Sequence, residues 1–225
     1  NNVVSDYLTQ LHTTHGVNIQ LNVVVTEIIG VDKVLAVETE NGQRYPADMV
    51  RAGIGVVPEQ QLAEQCGLDV NNGIRVNEYM QTADHNIYAI GDCSSFYHPV
   101  YQKQLRIESV QNATDQAKTA STSICGQFVP YSATAWFWSD QYDDKLQTAG
   151  LSEGYDEIVI RQETEKSLAV FYLAQNQLIA VDTINQPKSF MISRKYIHNL
   201  PKVNKVILAD KNQDLNSAFT EIAGV

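Results

Sequence analysis

The sequence predicts an α/β fold whose last part is an α+β domain with an antiparallel sheet. A short apolar run, Ile87 to Ile90, leads into Gly91 and Asp92, which is typical of a buried strand in an open α/β sheet. An amphipathic helix is predicted from Ser109 to Cys125, because apolar residues recur there every three or four positions. Between 144 and 185, segments of strand character follow one another closely, which predicts antiparallel neighbours.

The first fifty residues predict one helix followed by a meander of strands. A helix is expected over about 3–15, where apolar residues recur at helical spacing. The segments that follow alternate in polarity, and Asn41-Gly42 is a strong signal for a two-residue hairpin turn. The predicted strands cover 17–30, parts of 33–48, and 49–52.

The middle of the chain holds the residues best suited to contact a ligand. Gly91 removes the side chain where the chain leaves the predicted strand, so another group can approach the backbone. Asp92 then places a carboxylate at the carboxyl end of that strand, where open sheets bind ligands. The next helix is predicted to be capped by Ser109 and ended by Gly126.

Shorter elements and the C-terminal strands complete the prediction. A short helix at 62–66 is followed by a turn at 71–73 and a strand at 74–76. The tight hairpin in the C-terminal part is predicted at Gln175-Asn176. The C-terminal strands are predicted at 144–151, 156–164, 167–175 and 177–185, with a helix at about 188–198.

Composition argues against several classes of function. The net charge of −10 argues against nucleic acid as a partner, and no apolar run approaches the roughly 18 residues of a membrane span. Cys66, Cys93 and Cys125 are too few and too scattered for a disulfide scaffold or a metal site. They suit a reduced, cytoplasmic setting, and no metal ligands are predicted.

Three long blocks carry a resemblance to a known family. They run from Ala47 to Cys93, from Arg106 to Lys118, and from Trp136 to Leu151. Together they resemble the C-terminal part of the FAD-dependent, NAD(P)H-oxidising ferredoxin and rubredoxin reductases, within the pyridine nucleotide-disulfide oxidoreductase superfamily. The resemblance implies remnants of two Rossmann-like dinucleotide-binding domains. The implied domains are the end of the NAD(P) domain at 1–52, the second segment of the FAD domain at 53–126, and a C-terminal reductase domain at 127–225.

Complete members of that family carry two G-x-G-x-x-G turns for dinucleotides, and neither occurs in this sequence. Gly53-Ile54-Gly55 lacks the third glycine. We therefore expect the chain to be a C-terminal portion that catalyses nothing alone. In the family, the loop of Gly53 and Gly55 lies beside the nicotinamide cofactor. The alternative is a hinge between domains that needs a positive φ.

The resemblance also assigns flavin contacts to three positions around one ring system. Asp92 would bind the ribityl chain of FAD, and the alternative is an ordinary turn aspartate. Val110 would present the helix start to the electron-rich edge of the reduced ring, a role compatible with a core valine. Trp138 would lie near the isoalloxazine. No catalytic side chain is predicted, because the cofactor carries the hydride and electron chemistry.

The implied activity is hydride transfer from NAD(P)H to FAD, followed by single-electron transfer to a ferredoxin or rubredoxin-type carrier of an oxygenase. One alternative is a related flavin reductase with a quinone or a disulfide as acceptor. The other is a non-catalytic interaction protein derived from such a flavoprotein. Six basic residues could steer an acidic redox partner, or could form a solvated face. They are Lys188, Arg194, Lys195, Lys202, Lys205 and Lys211.

Overall fold

A computed structural model describes residues 2–220 of the chain. The chain divides into two compact units, Asn1–Val56 and Val57–Val225. The first unit contains helix α1 (Asn2–Thr14) and an antiparallel sheet of three strands in the order β1-β2-β3. The strands are β1 (Val25–Gly30), β2 (Val34–Thr39) and β3 (Arg44–Pro46). The predicted helix and meander are therefore confirmed.

Three details of the first unit differ from the prediction. The hairpin between β2 and β3 has a loop of three residues, because the Thr39 amide donates to Gln43 O at 3.0 Å around Gly42. Gly42 adopts a φ of +78°, as three-residue loops with a terminal left-handed glycine require. Residues 17–24 and 49–52 form no strand, because neither segment joins a strand ladder in the described part of the chain.

The second unit begins with elements that surround a small core. Helix α2 (Gln61–Gln65) precedes strand β4 (Ile74–Val76), which pairs in parallel with β5 (Ser94–His98). Strand β6 (Lys103–Leu105) pairs antiparallel with β5, and helix α3 (Val110–Ile124) follows. The short helix, strand β4 and helix α3 are confirmed. The core of this part consists of Val76, Met80, Ala89, Phe96, Ala120 and Tyr131.

The predicted strand from Ile87 to Ile90 is wrong. Within this run only Tyr88 forms a bridge, to Gln81, while the Ala89 amide donates to Met80 O at 3.1 Å. Ala89 is buried, but Ile87 and Ile90 are exposed. The apolar run therefore belongs to a short irregular loop, because a single bridge is too little pairing to extend a ladder. The strand of this region is β5, which starts at Ser94.

The rest of the second unit is a seven-stranded antiparallel sheet with helix α4 (Pro187–Ile197) packed on β8 and β11. The Gln175-Asn176 hairpin is confirmed, since both residues adopt the positive φ (+52° and +63°) of a type I′ turn. The four predicted strands are β8 (Asp144–Gly150), β9 (Glu157–Thr164), β10 (Ser167–Ala174) and β11 (Gln177–Ile184).

Smaller elements complete this sheet and its core. Strand β7 (Trp136–Gln141), which the sequence reading missed, pairs with β8. Strand β12 (Lys202–Val203), helix α5 (Lys205–Ala209) and strand β13 (Phe219–Thr220) follow α4. The core between sheet and helices includes Phe171, Leu173, Leu178, Phe190 and Ile197. The predicted class, α/β ending in an α+β domain with an antiparallel sheet, is confirmed.

Candidate functional site

Asp92 lies in a 3-10 turn, Gly91–Cys93, directly before β5. The expectation that it ends a strand is therefore wrong, because the turn precedes the strand instead of following one. Its side chain is exposed, whereas Gly91 is buried. The carboxylate is thus available to a ligand while its backbone is anchored.

The anchor of this turn is Gln116 on α3. The Gly91 amide donates to Gln116 Oε1 at 2.6 Å. The Ser94 hydroxyl lies 2.8 Å from the same oxygen and 2.9 Å from Gly91 O. Gly91 has a φ of +75°, and a Cβ atom there would lie 3.4 Å from the Cβ of Ala113. Glycine is therefore favoured by the backbone conformation, whereas a Cβ atom would only come into van der Waals contact with Ala113.

The start of α3 is held by side chains of its own. Ser109 Oγ accepts a hydrogen bond from the Asn112 amide at 3.1 Å, which confirms the predicted cap. Buried Asn112 donates to Ile107 O at 2.9 Å and accepts from the Tyr131 hydroxyl at 2.8 Å. Burial raises the pKa of Tyr131, so the phenol stays protonated and keeps donating. Val110 is 69% exposed at this helix start, where first-turn amides lack intrahelical partners.

Trp138 lies on β7 with 43% of its surface exposed. Its ring centroid is 5.6 Å from that of Trp136, which in turn packs against Phe190 of the core at 5.6 Å. The guanidinium of Arg194 lies over the Trp136 ring, 4.5 Å from its centroid. Trp138 is therefore a partly open indole on a rigid aromatic support.

A groove of about 440 Å³ lies between the start of α3 and the C-terminal sheet. Ser109 and Arg106 contribute to one wall, and Phe137 and Gly150 to the other. The turn of Asp92 and strand β7 both adjoin α3. Asp92, Val110 and Trp138 do not line the groove themselves, although Ser109 and Phe137, the immediate neighbours of two of them, do.

Arg106 is a residue of this region that the sequence reading did not single out. Its guanidinium donates to the Asp92 carbonyl at 3.2 Å and to Asn72 Oδ1 at 3.2 Å, and it pairs with Glu108 at 2.6 Å. Only 11% of its side chain is exposed. The sequence signal for this residue is its position at the start of the block from Arg106 to Lys118, which carries the family resemblance.

A second ion pair, which is more exposed than that of Arg106 and Glu108, lies at the rim of the groove. Glu153, which lines the groove, accepts a hydrogen bond from Lys103 on β6. This bond and the lysine charge hold the pKa of Glu153 below its ordinary value, so the carboxylate is ionised at neutral pH. The groove therefore has acidic and basic groups on its rim and apolar side chains below.

The two glycines assigned to a nicotinamide loop lie in the first unit. Gly55 adopts a φ of +97°, which favours glycine, whereas Gly53 does not have a positive φ. A Cβ atom at either position would meet nothing within 4 Å. The positive φ is the property that the hinge alternative requires, and open space is the property that a bound cofactor requires.

The basic residues near the C-terminus are partly engaged within the second unit. Besides the contact of Arg194 with Trp136, Lys205 pairs with Glu157 at 2.5 Å and Lys195 lies over Tyr196.

Within residues 2–220, no three potential metal ligands come together. None of the helices described there combines the length and the apolar character needed to cross a membrane.

Comparisons with known protein families match two segments of the chain. The family described as "Pyridine nucleotide-disulphide oxidoreductase" matches residues 1–117. The family described as "Reductase C-terminal" matches residues 136–219.

Two curated relatives are named as reductases. The chain is 42% identical to putidaredoxin reductase CamA of Pseudomonas putida over 94% of this chain and 51% of the relative. It is 39% identical to rhodocoxin reductase of Rhodococcus erythropolis over 96% and 51%. The chain thus spans about half the length of the curated relatives it matches.

Solved structures of reductases also match nearly the whole of this chain. The reductase in a covalent putidaredoxin reductase–putidaredoxin complex matches with a TM-score of 0.90 and 42% identity, over 96% of this chain and 52% of that one. A ferredoxin reductase of the CYP199A2 system from Rhodopseudomonas palustris matches with a TM-score of 0.92 and 36% identity, over 96% and 54%.

Proposed function

Because the chain belongs to the pyridine nucleotide-disulphide oxidoreductase family, we propose that it forms the flavin-facing C-terminal half of an NAD(P)H-oxidising, FAD-dependent reductase. As electron acceptor we propose a ferredoxin or rubredoxin-type carrier, because relatives of this chain include a putidaredoxin reductase and a rubredoxin-NAD(+) reductase of Pseudomonas putida. The observation that carries the proposal is the capped start of α3 beside the anchored Gly91-Asp92 turn.

The residues present fit a flavin. The Asp92 carboxylate is exposed and can accept a hydrogen bond from a ribityl hydroxyl, while the buried backbone of Gly91 beside it is anchored to Gln116. The start of α3 offers free amides and the positive end of a helix dipole to a negatively charged ring edge. Trp138 presents an open aromatic face. When bound, FAD supplies hydride acceptance and single-electron donation, and the chain's own groups bind and orient it.

The proposal also assigns three domains along the chain. Residues 1–52 end the NAD(P)-binding domain, 53–126 form the second segment of the FAD-binding domain, and 127–225 form the reductase C-terminal domain. The two family matches support this, since one covers 1–117 and the other 136–219. We also propose a cytoplasmic location, supported by the free thiols of Cys66, Cys93 and Cys125.

A chimera tests the proposal. The chain is fused to the half of Pseudomonas putida putidaredoxin reductase that it does not match, so that a complete reductase results. We expect the chimera to bind about one FAD and to reduce putidaredoxin with NADH or NADPH. A chimera that folds but contains no flavin would contradict the proposal and favour a non-catalytic interaction protein.

Val110→Pro in this chimera tests the role of the helix start. Proline is tolerated at the first helical position and removes only one N–H, and the extended backbone of Ser109 (φ −158°, ψ 147°) suits a following proline. If that N–H faces the flavin, the Kd of FAD rises about tenfold, the effect of losing one charge-assisted hydrogen bond of about 1.4 kcal/mol. Val110→Ala keeps the N–H and serves as the control.

A further inference from the structure

Gln116 has no solvent exposure and contacts the Gly91-Asp92 turn from its buried side. Its Oε1 atom receives the Gly91 amide at 2.6 Å and lies 2.8 Å from the Ser94 hydroxyl. It therefore connects the second turn of α3 to the turn that carries Asp92. Gly91 has no side chain that could pack against α3, so the connection between the turn and the helix depends on this hydrogen bond.

The orientation of the Gln116 carboxamide follows from its neighbours. Gly91 N–H can only donate, so the oxygen of the carboxamide must face it, and a flipped amide would place two donors against each other. This orientation leaves Gln116 Nε2 buried without a hydrogen-bond acceptor among the described residues. Buried polar groups are normally paired. In Gln116 the oxygen is paired with the Gly91 amide, while the Nε2 group is left without an acceptor among the described residues.

The turn is held at its other end as well. Arg106 donates to the Asp92 carbonyl at 3.2 Å, while Gln116 accepts from the Gly91 amide. The peptide groups before Gly91 and after Asp92 are thus each fixed by a side chain, and the Asp92 side chain between them stays exposed. Gln116 is the contact that ties this carboxylate to α3, the helix whose start is the other proposed flavin contact.

We propose that Gln116 is a positioning residue of the flavin site, which sets the Asp92 carboxylate relative to the start of α3. The inference rests on the proposed function. It extends that function from groups that contact the cofactor to a buried group that fixes the spacing between two of them. Preorganised contacts of this kind depend on residues locked by their own hydrogen bonds.

The test compares Gln116→Met with Gln116→Glu in the chimera described above. Methionine has similar length without an acceptor, and glutamate keeps an oxygen at the same reach. We expect Gln116→Met to raise the Kd of FAD about tenfold and to shift the visible spectrum of the flavin that remains bound. We expect Gln116→Glu to stay within about threefold of the parent. Ser123→Ala, at a buried serine of the same helix, is the control and should change neither value.

A second readout does not need the flavin. In the chain alone, the amide proton of Gly91 should resonate far downfield because its hydrogen bond is short, and Gln116→Met should abolish that shift. If Gln116→Met does not fold, Gln116→Asn, which is one methylene shorter, takes its place.

The outcomes separate the two proposals. Loss of the Gly91 shift with unchanged FAD affinity would make Gln116 a purely structural residue and overturn the inference. An unchanged Gly91 shift would overturn the contact itself. A parent chimera without flavin would overturn the proposed function, and the positioning role with it.

Discussion

The two units of the chain differ in what their strands bury. In the first unit, only Thr39 is buried among residues 2–56, and helix α1 buries none of its residues. In the second unit, strand β10 has six consecutive buried residues, 168–173, because both faces of its sheet are covered. The first unit has regular secondary structure without a core, whereas the second has two cores.

This difference shows which part of the chain can carry stability by itself. Val31, Met49 and Ile54 expose between 78% and 99% of their surface in the first unit. Hydrophobic burial is the dominant favourable contribution to folding, and backbone hydrogen bonds add little net free energy. We therefore expect the second unit to unfold cooperatively and the first to contribute little to its free energy of unfolding.

The largest expected effect is a truncation in the core of the C-terminal sheet. Phe171 has no exposed surface, so Phe171→Ala should lower the free energy of unfolding by about 3–5 kcal/mol. Ile28→Ala, at a 54% exposed position in the first unit, should change it by less than about 0.5 kcal/mol. Urea unfolding followed by tryptophan fluorescence measures both, since Trp136 and Trp138 lie in the second unit. Equal losses of unfolding free energy for the two variants would contradict the difference in stability between the two units.

An intermediate effect is expected from acidification. His98 Nε2 lies 3.2 Å from Ala133 O, and its Nδ1 accepts from the Val100 amide, so the ring is neutral in the fold. Burial is the main cause that lowers the pKa of His98 below 6.5. The unfolded chain therefore binds a proton more readily. Stability of the second unit should be complete above about pH 6.5 and fall as the pH drops toward the folded pKa, by at most about 1.4 kcal/mol per pH unit.

His98→Gln isolates this contribution, because glutamine can donate to Ala133 O and does not titrate. The pH dependence of urea midpoints between pH 7.5 and 5 should be flatter in the variant than in the parent. Identical slopes in the two proteins would show that His98 is not the group responsible.

The smallest effects are expected at surface ion pairs, which do not distinguish the units. Glu38 pairs with Arg44 in the first unit and Glu157 with Lys205 in the second, both at 2.5 Å and partly exposed. Glu38→Gln and Glu157→Gln should each change the free energy of unfolding by less than about 1 kcal/mol. A loss above about 2 kcal/mol for either variant, measured at moderate salt, would mean that exposed charge contributes as much as a core side chain.

The regular elements of the fold could be predicted where local signals and tertiary packing agree. The helix after Ser109 has a cap, an apolar stripe and a terminal glycine, and it forms as predicted. The Gln175-Asn176 hairpin separates two apolar segments, and it also forms as predicted. Strand β7 could not be predicted because Trp136 to Gln141 shows no alternation of apolar and polar residues, and its strand character comes from pairing with β8.

The irregular region before β5 could not be predicted from its composition. Ile87 to Ile90 has the apolar character of a strand, yet its backbone finds one bridge. The polar anchors were equally hidden: Gln116 and Arg106 act on the turn from 25 and 14 residues away, and no local spacing marks such pairs. The cofactor contacts proposed for Asp92, Val110 and Trp138 depend on the family resemblance and stay predictions.

One position in the sheet-side wall of the groove beside α3 tolerates no side chain. At Gly150, where φ is +79°, a Cβ atom would lie 2.2 Å from the carbonyl oxygen of Ile179, so any larger residue would force β8 away from β11. Its neighbours in the same wall, such as Phe137 and Thr148, already carry side chains. Redesign of what this groove admits, in the laboratory or by natural drift, can therefore use these neighbouring positions but not Gly150.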